Sequence, residues 1–174
     1  MRIIFSTATI LVVLFLTFPC YPQAALDNMI IKFPENEKWI QGNKDDRNGI
    51  SILELVPEGQ TVHNWTNLIT IIEHYNLHIS LETFFADALD KLKKHCPYTI
   101  DCAIKEKNNK NLIYTVKISN EEKLVEFSAI RLLSGKEGIW SIQYSTKESP
   151  LLPNKIKTML NFIKDAELKT PQEL

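Results

Sequence analysis

The chain begins with a short apolar segment, and this segment decides how much of the sequence is available to fold. Met1-Arg2 gives a positive start, and Ile3 to Phe18 then runs almost unbroken through apolar and hydroxyl residues. Two prolines end the run, and the small pair Ala24-Ala25 follows them. These are the features of a secretory signal peptide. The sequence therefore predicts a cleaved signal peptide over residues 1–24 and an exported protein, either periplasmic or secreted.

A membrane anchor is the alternative interpretation of the same segment. A spanning helix needs about 20 predominantly apolar residues, whereas this run is shorter and stops at Pro19. Cys20 could accept a bacterial lipid, but Phe18 and Pro19 fit the lipid-attachment pattern badly. We therefore expect no stable membrane anchor after cleavage.

Cleavage would leave two cysteines, Cys96 and Cys102, in the mature chain. An even number of cysteines in an exported protein is typical of disulfide bonding. Residues 97–101 separate the pair and allow a turn that brings the sulfurs together. We predict a Cys96–Cys102 disulfide, and the alternative is a pair of unbonded buried thiols.

The charge of the mature chain argues against one class of partner. The whole chain has 20 Lys and Arg and 21 Asp and Glu, and Arg2 alone of these lies in the signal peptide. Subtracting Arg2 leaves 19 basic and 21 acidic residues, a net charge of −2. A nucleic-acid-binding domain would carry an excess of basic residues, so no nucleic-acid partner is expected.

The length that remains after cleavage fits one ordinary domain. The sequence has no internal repeat and no low-complexity tract. The polar residues between Pro34 and Asn48 predict a flexible stretch, and residues 169–174 predict a frayed tail. The predicted organisation is a single domain over residues 25–168, followed by that tail.

The period of the apolar residues changes along the chain and predicts an α+β fold. Period-two alternation and β-branched density indicate strands, which fall at 29–33, 37–40, 50–56, 65–75, 103–107, 112–118, 123–133 and 139–145. A helical period appears at 80–95 and again after residue 153. The predicted order is β-hairpin, helix, β-meander, helix, with two amphipathic helices packed on a mainly antiparallel sheet.

The first predicted helix carries one apolar stripe. Its members recur at helical spacing, and they are Leu81, Phe84, Phe85, Ala88, Leu89 and Leu92. Ser80 can cap the N-terminus, and Pro97 blocks continuation after the last turn. The last predicted strand has a different pattern, because Trp140, Ile142 and Tyr144 share one face while Ser141 and Gln143 share the other.

The most distinctive string is LVPEGQTVHNWT, at residues 55–66. It resembles a string in small uncharacterised exported proteins of Gram-negative bacteria, where a Val-Pro-Glu-Gly turn ends one strand and a tryptophan opens the next. The order of the elements also resembles the PsbP-like α/β/α sandwich. Both resemblances imply an exported domain that binds something, and neither implies a catalytic residue.

A candidate binding surface follows from this string and a nearby tryptophan. Its residues are Trp39, Glu58, Gln60, His63 and Trp65, and the partner would be an unidentified protein or small ligand. The alternative is structural, because Pro57-Glu58-Gly59 favours a turn and a buried tryptophan would complete the core. The sequence does not indicate the oligomeric state.

The sequence predicts no catalytic residue, no metal site and no cofactor. Glu73-His74 and His78 invite a metal interpretation, but the Glu precedes the first His and the segment is predicted as a strand and turn. No phosphate-binding or dinucleotide-binding motif is present. We therefore predict an exported bacterial binding domain. The alternative is an exported hydrolase assembled from dispersed residues, with His74 or His78 as the base.

Overall fold

An antiparallel sheet with one helix on each face is the centre of the fold. The structure is a computed structural model that describes residues 28–33, 37–121 and 123–169, so the predicted signal peptide lies outside the described residues. The described elements are β1 (Asn28–Ile30), β2 (Trp39–Arg47), β3 (Ile50–Pro57), β4 (Asn67–Tyr75), α1 (Leu81–His95), β5 (Thr99–Asn108), β6 (Asn111–Asn120), β7 (Lys123–Ser134), β8 (Gly138–Thr146), α2 (Pro153–Lys164) and β9 (Glu167–Lys169).

The large sheet has seven strands in the order β2-β3-β4-β8-β7-β6-β5. Two antiparallel meanders, one before α1 and one after it, meet where β4 pairs with β8. β1 and β9 form a separate two-stranded antiparallel sheet. The fold is therefore a mainly antiparallel sheet with two helices, which agrees with the predicted α+β class. Within the described ranges, neither helix is long and apolar enough to cross a membrane.

α2 packs against one face of the large sheet. Met159, Phe162 and Ile163 are buried against that face, and the Phe162 ring meets Tyr144 edge-on at 5.4 Å between centroids. The C-terminal end of the helix is held by Arg131, whose Nη1 donates to the carbonyl oxygens of residues 163, 164 and 166 at 3.1, 2.7 and 2.7 Å. A cation at this position complements the helix dipole and pairs otherwise unpaired carbonyls.

α1 lies on the opposite face, over β6 and β7. Ser80, the predicted cap, accepts a hydrogen bond from the Thr83 amide at 3.0 Å. Leu81 and Phe84 are the buried residues of this helix. They join a second apolar cluster that includes Leu112 and Leu132 from the sheet.

Two stretches differ from the sequence-based expectations. The polar residues from Gln41 to Arg47 were expected to be flexible, but they form most of the edge strand β2 because they pair with β3. Strand pairing supplies hydrogen bonds that polar composition alone does not indicate. Lys169, the first residue of the expected tail, is the last residue of β9.

Cys96 and Cys102 are both free in the structure. Cys96 is buried at the C-terminal cap of α1, and Cys102 on β5 is partly buried beside the same apolar cluster. Burial raises the pKa of the Cys102 thiol, and the nearby charge of Lys93 opposes that rise. The predicted Cys96–Cys102 disulfide is not formed in the structure and stays a prediction for the oxidised protein.

Candidate ligand-binding pocket

A cavity lies between α1 and the sheet face beneath it. It has a volume of about 100 Å³, whereas a single water needs roughly 10–15 Å³ on the same measure. Its walls are mainly apolar and come from α1, β4, β6, β7 and β8. A space of this size and lining suits a short stretch of an apolar ligand, because a dry apolar cavity of about 150 Å³ holds one benzene.

The cavity exists because the apolar stripe of α1 is only partly covered. Leu81 and Phe84, near the start of the helix, are buried. Ala88, Leu89 and Leu92, farther along the same stripe, remain partly exposed and line the cavity. The helix therefore leaves an apolar gap beneath Ala88 and Leu89, although Leu92 and the C-cap residue Cys96 pack against the same apolar cluster as Leu81 and Phe84.

The sheet under this gap carries polar side chains where a core would be apolar. Paired residues in an antiparallel sheet lie on the same face, and Thr70 pairs with Glu54 on β3 and with Gln143 on β8. Ser128 on β7 pairs with Ser145 on β8. We call this row the polar band, and it consists of Glu54, Thr70, Gln143, Ser145, Ser128 and Glu126.

Hydrogen bonds connect one end of the polar band. The Gln143 amide donates to Ser145 Oγ at 2.7 Å and to Ser128 Oγ at 3.2 Å. Ser128 Oγ donates to Glu126 Oε1 at 2.9 Å and lies 2.7 Å from Ser145 Oγ. The network leads to a carboxylate, and a carboxylate has acceptor capacity beyond one hydrogen bond.

Thr70 lies in the middle of the polar band and is 1% exposed. Its Oγ1 has no hydrogen-bond partner among the described residues, although Thr70 lines the cavity. A buried hydroxyl without a partner is costly. A polar group of a ligand within the cavity would remove that cost.

Lys147 stands at the Glu126 end of the cavity. Its Nζ lies 3.9 Å from the centroid of the Trp65 ring, a favourable cation–π distance. Burial raises the pKa of Glu126, and both Ser128 and the charge of Lys147 oppose the rise. Burial also lowers the pKa of Lys147, against the attraction of Glu126. The two groups thus lie close enough to influence each other at the edge of the cavity.

His74 lines the cavity at the α1 N-terminal end and is 7% exposed. Its ring meets Phe84 edge-on, with 4.9 Å between the ring centroids. Burial lowers the pKa of His74 from 6.5 to about 4. The imidazole is therefore neutral at pH 7, and it offers the cavity an uncharged ring.

The burial of His74 predicts that the protein loses stability in acid. Because the folded-state pKa is depressed, the unfolded chain binds the extra proton between pH 6.5 and about 4. The free energy of unfolding should therefore fall as the pH falls through that window, by on the order of 2 kcal/mol from this group. Denaturant unfolding of His74→Gln at several pH values should lack this component. The exposed variant His78→Gln should retain it, and an identical pH dependence in all three proteins would contradict the assignment.

The residues predicted as a binding surface do not line the cavity. Glu58 is exposed and forms an ion pair with Lys38 at 2.5 Å. The Gln60 side chain is hydrogen bonded to Thr66, accepting from its amide at 2.7 Å and donating to its hydroxyl at 2.9 Å. His63 is exposed in the same turn. The hydrogen bonds between Gln60 and Thr66 hold the turn together.

The two tryptophans of that set lie in separate clusters. Trp39 packs edge-on against Tyr144 at 5.7 Å, in the apolar cluster that α2 covers. Trp65 is buried with Val56 and Leu68. The structure thus does not bring the two rings together, and Trp65 approaches the pocket through Leu68, which lines it, and through Lys147.

Sequence reasoning missed the polar band, although part of its signal was visible. Ser141 and Gln143 were seen to share one face of the last strand, opposite Trp140 and Ile142. The strand pairing adds Thr70, Ser128 and Glu126 to that face. Among residues 28–33, 37–121 and 123–169, no group of three or more His, Cys, Asp or Glu side chains could hold a metal ion.

Comparison with known proteins gives a match at the level of a family. A protein-family model matches residues 30–174. This span includes α1 and every strand that lines the pocket. No curated protein and no solved structure matches the chain.

Proposed function

Since the chain belongs to an uncharacterised bacterial family, which assigns no activity, we propose from its geometry a binding domain for a small, largely apolar ligand. The ligand would lie between α1 and the polar band, with its apolar part against Ala88, Leu89 and Leu92. We place it there rather than at the turn around Glu58, because the polar groups of that turn bind one another.

One observation carries the proposal. The apolar stripe of α1 is continuous in sequence, yet Ala88, Leu89 and Leu92 in its second half line a cavity and remain partly exposed. Leaving apolar surface uncovered forgoes about 25 cal/mol for every Å² that could be buried. An apolar ligand would recover that free energy, and the unpartnered Thr70 hydroxyl gives it a polar contact.

We further propose that this domain acts outside the cytoplasm, in the periplasm or after secretion. The support is the sequence of residues 1–24 and the even number of mature cysteines. The resemblance to exported proteins with a Val-Pro-Glu-Gly turn and the PsbP-like order of elements belong to the same proposal. On this account the domain works by binding and needs no catalytic group.

The export proposal predicts a specific mass for the mature protein. Intact-mass measurement without reductant, on protein recovered from the periplasm or medium, should show a chain that lacks its first 24 or 25 residues. The same spectrum should be about two mass units below the dithiol value, because disulfide formation removes two hydrogens. A full-length chain recovered from the cytosol with two alkylatable mature thiols would contradict both parts.

The binding proposal is tested with a neutral fluorescent apolar probe, N-phenyl-1-naphthylamine. We expect saturable enhancement at one site per chain. Hydrogen exchange in the second half of α1 should slow at the same time, because a bound ligand stabilises the helix on the sheet. An absence of enhancement, or slowed exchange confined to the β2 edge with α1 unchanged, would overturn the proposal.

A further inference from the structure

The charge balance of the polar band bears on which ligands the pocket takes. Glu54 is buried at one end and accepts a hydrogen bond from the neutral Asn43 amide at 2.9 Å. Glu126 lies at the other end with Lys147 close by. Glu126 lines the cavity, whereas Glu54 and Lys147 are not among its lining residues, so the carboxylate that a ligand in the cavity meets is that of Glu126.

The hydrogen bonds of the polar band run in one direction, toward Glu126. The Gln143 amide donates to the two serines, and Ser128 in turn donates to Glu126. A ligand that donates a hydrogen bond to Glu126 would add to this network. A ligand carboxylate placed there would meet the Glu126 carboxylate instead, and like charges at close range repel.

We infer that the polar band selects the head group of the ligand. This inference rests on the ligand pocket proposed above. The ligand class is an apolar chain that ends in a hydrogen-bond donor, either an alcohol or, with higher affinity, a primary amine. A fatty carboxylate of equal chain length binds more weakly. The apolar chain lies under Ala88, Leu89 and Leu92, and the head lies between Thr70 and Glu126.

Thr70 and Glu126, the two residues proposed to contact the ligand head group, have different roles. Thr70 Oγ1, which lacks a partner among the described residues, supplies one neutral hydrogen bond to either head. Glu126 supplies the charge that distinguishes an ammonium from a carboxylate, and a hydrogen bond to a charged group is stronger than a neutral one. His74 is neutral at pH 7 and adds no charge to this comparison.

Displacement of N-phenyl-1-naphthylamine by three ligands of equal chain length tests the inference. The ligands are decylamine, decan-1-ol and decanoate at neutral pH, with the two ionic ligands below their micelle concentrations and decan-1-ol below its solubility limit. We expect decylamine to bind about tenfold or more tightly than decanoate, the ratio that one hydrogen bond to a charged group gives. Decan-1-ol should fall between them.

Two variants locate the source of the preference. In Glu126→Gln the ratio of decylamine to decanoate affinity should fall toward one. Asp90→Asn removes an exposed carboxylate from the outer side of α1 and should leave the ratio intact. In Thr70→Val the affinity for decan-1-ol should drop severalfold without loss of folding, because the hydroxyl has no described partner to lose.

The outcomes separate this inference from the proposed function. Failure of the probe to bind the wild-type protein would overturn the proposed function itself. Probe binding with equal displacement by decylamine and decanoate would overturn the inference and leave the apolar pocket standing. An unchanged preference in Glu126→Gln, or unchanged decan-1-ol affinity in Thr70→Val, would also overturn it. The wild-type comparison decides the matter even if a variant fails to fold.

Discussion

Gly138→Ala is expected to lower the free energy of unfolding by about 4 kcal/mol, a large share of what a domain of this size has. Gly138 has φ +152° and pairs with Tyr75 where β4 and β8 meet. A Cβ at this position would lie 1.9 Å from the His74 carbonyl oxygen and 3.0 Å from the His74 carbonyl carbon. Because both atoms belong to the backbone, no side-chain rotation relieves the clash, and the two strands must move apart.

Gly59→Ala is the matched control for this prediction. Gly59 also has a positive φ, of +86°, but a Cβ there would meet no atom within 4 Å. This variant bears only the strain of a left-handed residue, about 1–2 kcal/mol. Denaturant unfolding followed by tryptophan fluorescence measures both variants. Equal losses in the two proteins would contradict the close approach of β8 to His74.

Ala88→Phe is expected to reduce the affinity for N-phenyl-1-naphthylamine by about 100-fold. Ala88 lines the cavity from α1, and a phenyl ring in that space would occupy the volume assigned to the ligand. Forcing probe and ring into the same space costs about 1–3 kcal/mol or excludes the probe entirely. The ring itself fills apolar space, so the free energy of unfolding should stay level or rise.

The control for this prediction is Ala86→Phe, two residues away on the same helix. Ala86 is exposed, and the substitution has the same cost in helix propensity. Its probe affinity should match that of the wild type. If both variants bound the probe as well as the wild type, the ligand would not lie under α1. If both lost binding equally, a general effect on the helix would explain the loss.

The elements of the fold could be predicted where local sequence determines them. Ser80 as a helix cap and the helical period of residues 81–92 are local signals. The edge strand β2 could not be predicted along its length, because its polar residues form a strand only through pairing with β3. That pairing is a property of the tertiary structure, and composition does not carry it.

The pocket was harder to predict than the fold for a similar reason. The apolar stripe of α1 predicts a helix packed against a core, but the stripe does not tell how far its second half stands from the sheet. The polar face of Ser141 and Gln143 was visible in the sequence. Its continuation through Thr70 and Ser128 depends on strand register, which brings together residues distant in the chain.

The predicted binding surface depended on a distinctive string that the structure uses mainly for a turn. Gln60 and Thr66 hydrogen bond across it, and Trp65 enters the core. A turn residue and a buried tryptophan have the same sequence signature whether or not a ligand is nearby. Two contacts of Trp65 connect this string to the pocket: Leu68, which lines the cavity, and Lys147, which lies over the Trp65 ring and beside Glu126.

A crystal structure of the protein grown with decan-1-ol tests the central claim most directly. The account predicts electron density for one alkyl chain between α1 and the sheet, in contact with Ala88 and Leu89, with its hydroxyl within hydrogen-bond distance of Thr70 or Glu126. A structure in which α1 closes onto Ser141 and Gln143, burying Leu89 and Leu92 with no space for a ligand, would contradict it.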